Sequence, residues 1–405
     1  MSYSEILEYI HSLGMFGLPS GLERIGDVLK KLENPQRKLK AIHIAGTNGK
    51  GSVSAMISSV FAEAGFKTGL FISPYIIDFR ERIQINGEFI SEENIVRYAI
   101  KVKETGVRLT EFEFITAMAF LFFAEQEIDI LVCETGLGGR FDATNTLDSL
   151  ACAVITKIGL DHTGILGDTI DKIAFEKCGI LRNAPTVTTP YQDKKALDVI
   201  KKKSNQLIIP KVSDIKVIKS NTLGNSFIYK DKEYDISLCG EYQIENAVTA
   251  IETIKACGYD IDYNIIYKGL RKAFIPARME VVSEKPFIII DGAHNPDGAE
   301  VLSRELVKFS GKAVAIVGMM KDKDYEKVLK ETLIHCKFAI AVSVGDMPRS
   351  LSGEELCATA SKYCKCVSAD SYDKAIKLAT EEAGSNPVFV FGSFYLAADI
   401  RKKLK

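Results

Sequence analysis

What this 405-residue sequence lacks narrows its possible functions first. No C-x-x-C pair occurs among nine scattered cysteines. Cys357, Cys364 and Cys366 lie close together in the chain but have neither zinc-ligand spacing nor neighbouring histidines, so reduced thiols of a cytosolic protein are the simpler expectation. Neither sign of charge dominates: 52 basic and 53 acidic side chains leave a formal net charge of -1. That balance offers no basic field for nucleic acid and no polybasic membrane anchor. The run Lys201 to Lys203 reads as a solvated helix face. The opening MSYSEILEYI carries acidic residues and no basic stretch followed by an apolar core, so no signal peptide is expected. No uninterrupted apolar run approaches the roughly 18 to 20 residues that a membrane span requires. Internal repeats, low-complexity tracts and long linkers are also missing. A cytoplasmic, globular protein acting on small molecules is what remains.

What is present is a large apolar fraction, 46% of residues, enough for two or more domains. Short β-branched runs alternate with helical patterns: KAIHIAG, TGLFIS, DILVCETG and ACAVITKIG in the first half. Such alternation predicts a parallel sheet flanked by helices. Between about Gln206 and Gly240 the texture becomes strand- and turn-rich, and NTLGNSFIYKDKEYDISL reads as a hairpin. A second alternating series, PFIIIDGAHN, AVAIVGMM, FAIAVSVGD and PVFVFGS, begins near Lys285 after PARMEVVSE. The fold expected is therefore α/β with two doubly wound domains. Residues 1–283 would form the first domain, with a small β insertion, and residues 284–405 a Rossmann-like second one, with a ligand cleft as the default.

Three stretches carry the chemistry. AGTNGKGS follows an apolar run and precedes SVSAMISSVFAEAG, which reads as an amphipathic helix. Backbone N–H groups at a helix start hold phosphate oxygens, glycines allow close approach, Lys50 adds charge, and Ser52 can offer a hydroxyl to magnesium. The usual P-loop spacing is broken, however, because Gly46 sits too close to Gly49 and Gly51 separates Lys50 from Ser52. A glycine-rich turn that binds nothing is the alternative. In CETGLGGRFDATN, Glu134 stands at the carboxyl edge of a strand, where a carboxylate suits a hard cation. GLGG alone could be a turn; Arg140, Asp142 and Asn145 give it weight. In TKIGLDHTGILGDTIDKIAFEKCGI, His162 also follows a strand and Lys177 ends a helical pattern. Each alone would usually be structural, and only their company points to a site.

Taken in order, GTNGKGS, SPY with ERIQING, ETGLGGRFDATN, LDHTGILGDTIDKIAFEKCGI, GEYQIENAVTA, PARME, DGAHNPDG and VFGSFYLAADIR resemble the signatures of the folylpolyglutamate synthase/dihydrofolate synthase family of the Mur ligase superfamily. The resemblance runs from about Gly17 to the C-terminus. Gly51 separates the folate enzymes from the peptidoglycan ligases, which carry a hydroxyl residue directly after the lysine. FGLPSGLERI also resembles the folate branch, and about 45 residues before the loop are too few for the sugar-nucleotide domain of many Mur ligases.

The resemblance implies an ATP-driven amide ligation. ATP phosphorylates a substrate carboxylate, and the amino group of L-glutamate displaces phosphate from the acyl phosphate. The substrates implied are dihydropteroate and reduced folates. Gly49, Lys50, Gly51, Ser52, Asn246, Arg278, Asp291 and His294 would bind ATP. Ser52, Ser73, Glu134, His162 and Lys177 would hold magnesium, with two ions in the family and Lys177 carbamylated. Lys50, Lys177, His162 and Glu134 would carry catalysis, and closure at a hinge near Glu280 to Lys285 would form part of it. Thr110, Phe112, Glu113, Phe141, Asp142 and Ala143 would line the pterin pocket, although TEFEFITAMAF also reads as core helix around Phe114, Ala117 and Met118. Departures from the family pattern are Tyr75, Arg80 and Thr135; the first two lie in the substrate-covering loop and bear on substrate preference. A bifunctional synthase is the leading expectation. A folylpolyglutamate synthase without the dihydrofolate synthase activity comes next, then a non-catalytic nucleotide-binding module. The family implies a monomer.

Overall fold

A computed structural model of the chain describes residues 1–14, 21–309, 311–345 and 347–405. The FGLPS stretch of the sequence resemblance therefore lies outside the described residues. The chain divides into two compact units: Met1–Lys219 with Ser226–Ser237 and Gln243–Phe274, and Ser220–Asn225 with Leu238–Tyr242 and Ile275–Lys405.

The first unit is built on an eight-stranded sheet. Its strands are β1 (Lys40–Ala45), β2 (Thr68–Phe71), β3 (Ile83–Ile85), β4 (Glu88–Phe89), β5 (Ile130–Glu134), β6 (Ser149–Ile155), β7 (Thr186–Thr188) and β8 (Leu207–Ile208), ordered β4-β3-β2-β5-β1-β6-β7-β8. β2, β5, β1, β6, β7 and β8 run parallel. β3 and β4 add an antiparallel edge whose turn, Asn86–Gly87, has φ of 50° and 82°, the backbone that a two-residue hairpin of Asn-Gly type requires. The four apolar runs seen in the sequence are β1, β2, β5 and β6. Central β1 lies between β5 and β6, so the carboxyl ends of four parallel strands gather the loops that follow them.

Two helices differ from simple amphipathic expectation. Lys50–Glu63 is buried on nearly every face rather than along one stripe. Helix Tyr263–Lys272 covers the side that would otherwise face water, and Gly269 permits it: a Cβ there would lie 2.5 Å from the Cα of Val60. Ser59 Oγ donates to Gly269 O at 2.7 Å across the contact. Glu111–Glu125 is likewise apolar all round and fills the core, with Phe114, Ala117 and Met118 buried as the pattern suggested.

In chain order after β8, β9 (Ile215–Asn221), β10 (Gly224–Tyr229) and β11 (Lys232–Ile236) form a separate three-stranded sheet, so the expected hairpin carries a third strand. The second unit has six strands: β12 (Glu280–Glu284), β13 (Phe287–Ile290), β14 (Ala313–Val317), β15 (Cys336–Val342), β16 (Lys365–Ala369) and β17 (Val388–Phe391), ordered β12-β13-β17-β14-β15-β16. The four runs predicted for this half are β13, β14, β15 and β17. The two edge strands were not anticipated. β12 pairs antiparallel with β13 because the connection between them is too short for a crossover, and β16 is half exposed, so its apolar pattern is weak. Among the described residues no helix is long and apolar enough to cross a membrane.

Candidate active site

β1 delivers the chain to Gly46 at φ 153°, and the loop closes at Gly49, φ 89°. A side chain at either glycine would strike the opposite wall: a Cβ would meet Thr156 Oγ1 at 1.9 Å from Gly46 and Asn246 Oδ1 at 2.5 Å from Gly49. The N–H groups of Thr47 and Asn48 both donate to Lys157 O, at 2.9 and 3.1 Å, and the Thr47 hydroxyl exchanges hydrogen bonds with the backbone of Gly159. The loop is thus anchored to the segment after β6. The first bond within the following helix is Val53 N to Gly49 O, at 2.9 Å. The N–H groups of Lys50, Gly51 and Ser52 therefore form the open N-terminus of a fourteen-residue helix, an anion site by geometry.

Around this loop stand the other candidate groups. Glu134 is the last residue of β5, opposite Ile44 of β1 in register. Its buried carboxylate lies 3.6 Å from Lys50 Nζ, an ion pair rather than a hydrogen bond, and accepts from Ser73 N at 3.4 Å. Ser73 follows β2, so three strand ends meet here. Lys177 closes helix Ile170–Lys177 and reaches back to donate to Gly46 O at 2.7 Å. Burial, with the Lys50 ammonium second, lowers its pKa to about 7 against the opposing charges of Asp161, Asp142 and Glu134. A buried lysine near neutrality is a partly unprotonated amine, a nucleophile as well as a donor.

The glycines of ETGLGGR and EKCGI lock these segments together. A Cβ at Gly139 would fall 2.6 Å from Lys177 O, and one at Gly179 would fall 2.3 Å from the Cα of Arg140. Asn145 Nδ2 donates to both Arg140 O and Gly179 O, and Arg140 pairs with Glu176.

His162 takes a left-handed turn, φ 50°, before the short helix Thr163–Leu166; it is 44% exposed and stands 3.8 Å from Asp161. The charge that reaches Lys177 from this turn is that of Asp161, a residue not singled out in the sequence. Ser52 Oγ accepts from Gln243 Nε2 at 3.2 Å, and Gln243 Oε1 accepts from Asn246 Nδ2 at 2.9 Å. Gln243 was also missed; its spacing of three from Asn246 in GEYQIENA, one face of a helix, was the available signal.

Magnesium fits this donor set. The Glu134 carboxylate beside a loop built for phosphate, with Ser52 in the first turn of its helix, suits an ion that takes one or two carboxylates and completes its shell with phosphate and water; His162, exposed beside Asp161, is not brought against them. Among the described residues no cluster of three or more His, Cys, Asp or Glu side chains could hold an ion by itself.

At the other end of the Glu134 loop lies Asp142, one of the residues expected to meet a pterin. The buried Asp142 carboxylate accepts from Leu137 N at 2.8 Å, from Thr144 N at 3.0 Å and from the Thr144 hydroxyl, and burial raises its pKa. Phe112 packs under Gly136, where a Cβ would meet the ring at 2.6 Å, and 5.9 Å from the ring of Phe71. Thr110 caps helix Glu111–Glu125 with Glu113 in a capping box. Glu113 also pairs with Arg24 at 2.8 Å, so its carboxylate is engaged by the fold. Phe141 is half exposed under the Arg140 guanidinium, 4.3 Å from its ring centroid, and Ala143 is buried. Tyr75 meets Phe79 edge to face, and its ring centroid lies 5.1 Å from the Arg82 guanidinium. Arg80 pairs with Asp78. Both departures thus serve loop 73–82, whose backbone N–H groups at Ile76, Ile77 and Asp78 all donate to Glu81.

In the second unit, Asp291 is buried and accepts from Met279 N and Ala293 N at 2.9 and 2.8 Å. Burial raises its pKa while Arg278 opposes the rise. His294 Nδ1 meets Gly292 O at 2.9 Å, and its ring lies 5.3 Å from that of Phe394. The Arg278 guanidinium stands 4.8 Å over the same Phe394 ring. Phe394, at the start of helix Phe394–Leu404, gathers Arg278 and His294 and was not picked out in the sequence.

Two family models match the chain: the Mur ligase middle domain over residues 44–254, and the Mur ligase, glutamate ligase domain over residues 277–394. The chain is 38% identical to a dihydrofolate synthase/folylpolyglutamate synthase of Bacillus subtilis over 100% of its length and 99% of the relative's. It is 34% identical to a folylpolyglutamate synthase of Lacticaseibacillus casei, covering 100% and 99%. Among solved structures, E. coli FolC in complex with DHPP and ADP superposes with a TM-score of 0.89 at 29% identity, covering 100% of this chain and 97% of that one. Folylpolyglutamate synthase of Mycobacterium tuberculosis complexed with ADP and AMPPCP gives 0.87 at 30% identity, covering 95% of each.

Proposed function

Because the chain belongs to the Mur ligase family, in its group of dihydrofolate and folylpolyglutamate synthases, and is an ATP-dependent ligase, we propose that it joins L-glutamate to the carboxylate of dihydropteroate and of reduced folates. The observation that carries this reading is the meeting of Lys50, Glu134 and Lys177 at one phosphate loop. The first compact unit would hold ATP and the pterin, and the second, which from Ile275 onward takes in Arg278 and β12, would form the glutamate ligase domain in place of a division at 283/284. Arg278, Asp291 and His294 are proposed nucleotide contacts on the same footing.

A carboxylate is a poor electrophile, so one of its oxygens first attacks the γ-phosphorus of ATP and the bond to ADP breaks. Lys50 and the N–H groups of Gly49 to Ser52 hold the β- and γ-phosphates and take up charge as it moves onto the leaving oxygen. The glutamate nitrogen then attacks the acyl carbon, loses a proton, and the C–O bond to phosphate breaks. Ser52, Ser73, Glu134 and His162 would hold magnesium, which supplies neutralisation of phosphate oxygens when bound. Lys177, with its lowered pKa, is the proposed site of carbamylation: the neutral amine adds carbon dioxide and releases a proton, exchanging a repelling ammonium for an anionic oxygen. At the pterin end, Asp142 would accept N–H groups of the ring beside Phe112, with Thr110, Glu113, Phe141 and Ala143 completing the wall.

Acyl phosphate formation is tested by labelling the dihydropteroate carboxylate with oxygen-18. One labelled oxygen is expected in the inorganic phosphate released with glutamate and ATP; phosphate free of label would overturn the route. That the Lacticaseibacillus relative is named for folylpolyglutamate synthesis alone keeps the second reading, without dihydrofolate synthase activity, in play.

A further inference from the structure

His43 lies in the middle of β1, a histidine inside an apolar strand, only 1% exposed. Its Nε2 stands 2.8 Å from Thr144 Oγ1. Thr144 is fully buried, and its hydroxyl in turn reaches Asp142 Oδ1. Three buried polar groups from two distant segments therefore form one chain that ends on the carboxylate proposed to meet the pterin.

The direction of that chain follows from counting protons. A hydroxyl has one proton to give and can accept through its lone pairs. Leu137 N and Thr144 N already donate to the two oxygens of Asp142, which places that carboxylate as the acceptor of the Thr144 hydroxyl proton as well. Thr144 must then accept from His43, which fixes the imidazole as its Nε2–H tautomer. Burial keeps the ring neutral, so it donates without bringing charge into the core. Asp142 Oδ1 is held by the hydroxyl and N–H of Thr144, and Oδ2 by Leu137 N. With both oxygens tethered from within, the plane of the carboxylate is set before any ligand arrives.

We infer that His43 and Thr144 are positioning residues for pterin recognition: together they fix the orientation in which the Asp142 carboxylate accepts from a flat, amide-bearing heterocycle. This rests on the reading of Asp142 as a pterin contact. Neither residue touches the substrate in this account; both act through Asp142. A merely structural network of the same groups would lower stability when cut and leave relative substrate affinities alone. A positioning network moves the KM for one substrate and spares the others.

The test uses the full-length enzyme, with KM for dihydropteroate, ATP and glutamate and kcat measured for Thr144→Val, Thr144→Ser, His43→Leu, His43→Gln and Asp142→Asn, and ADP binding by calorimetry confirming that each is folded. Serine keeps the hydroxyl, and glutamine can present an N–H near the position of Nε2. Thr144→Val and His43→Leu are expected to raise the dihydropteroate KM about tenfold, the scale of one lost buried hydrogen bond. The other KM values and kcat should stay within about twofold, and Thr144→Ser and His43→Gln near wild type. If Asp142→Asn raises the dihydropteroate KM while Thr144→Val and His43→Leu do not, the positioning role is wrong and the pterin reading stands. If Asp142→Asn also leaves it unchanged, the pterin reading itself fails and takes this inference with it.

Discussion

Glu134 and Asp142 sit near the two ends of one loop, yet they meet opposite surroundings. Glu134 faces an ammonium group at close range, with Lys50 Nζ 3.6 Å away. Asp142 is tethered by uncharged donors, the N–H groups of Leu137 and Thr144 and the Thr144 hydroxyl. Two like side chains are thereby given different work by environment alone. The first suits phosphate and cation chemistry; the second suits a neutral, hydrogen-bonding heterocycle. Between them Gly138 takes φ 72°, and Gly136 and Gly139 admit the close approach of Phe112 and of the Lys177 carbonyl, while both carboxylates stay buried on one short segment.

The comparison breaks most visibly at the phosphate end. Lys50→Ala should reduce kcat by about 10³-fold, the scale of a lost charged contact on a transferring phosphoryl group, with the far-UV circular dichroism unchanged; turnover near wild type would remove the lysine from the chemistry. Glu134→Gln should lower kcat by roughly 10²-fold and raise the magnesium concentration needed for half-maximal rate, while leaving the dihydropteroate KM within about twofold. Asp142→Asn should show the converse, a dihydropteroate KM raised roughly 10–100-fold with the ATP KM unmoved, as expected for a charged hydrogen-bond acceptor lost at a binding site. Were Glu134→Gln to disturb the pterin KM as much as Asp142→Asn does, the two ends would not be separate.

The smallest effect is on stability. Burial, with a lesser contribution from Arg182, holds the pKa of His43 at about 3, below the roughly 6.5 of an unfolded histidine. Between those values the unfolded chain binds a proton that the folded chain refuses, so this contribution is whole above pH 6.5 and is lost as pH falls. From pH 7 to pH 5 the loss is about 2 kcal/mol. Urea midpoints at the two pH values, compared between wild type and His43→Gln, should show a smaller decline in the variant; equal declines would mean that His43 is not the group responsible.

Much of this was legible in the sequence, and what was not has identifiable causes. The phosphate loop and Glu134 are marked by glycine, charge and spacing within short windows, whereas Lys177 gains weight only from their company. Edge strands β12 and β16 escaped because one is antiparallel across a tight turn and the other is half exposed, so neither shows the continuous apolar run of a central parallel strand. The burial of helix Lys50–Glu63 on nearly every face depends on Gly269, a residue far along the chain. Asp161, Gln243 and Phe394 act through neighbours that only folding supplies: a charge beside Lys177, a bond to Ser52, a ring under Arg278. The His43–Thr144–Asp142 chain joins two distant segments, and a single histidine in an apolar strand gives no hint of it.

The central claim is that one site ligates glutamate to both substrate classes, and glutamate-dependent ADP release with dihydropteroate and with tetrahydrofolate, run in parallel on the wild-type enzyme, tests it most directly. Both substrates should release ADP only when glutamate is present, in step with the glutamylated product. Release with tetrahydrofolate alone would contradict the bifunctional account and leave a folate-extending enzyme.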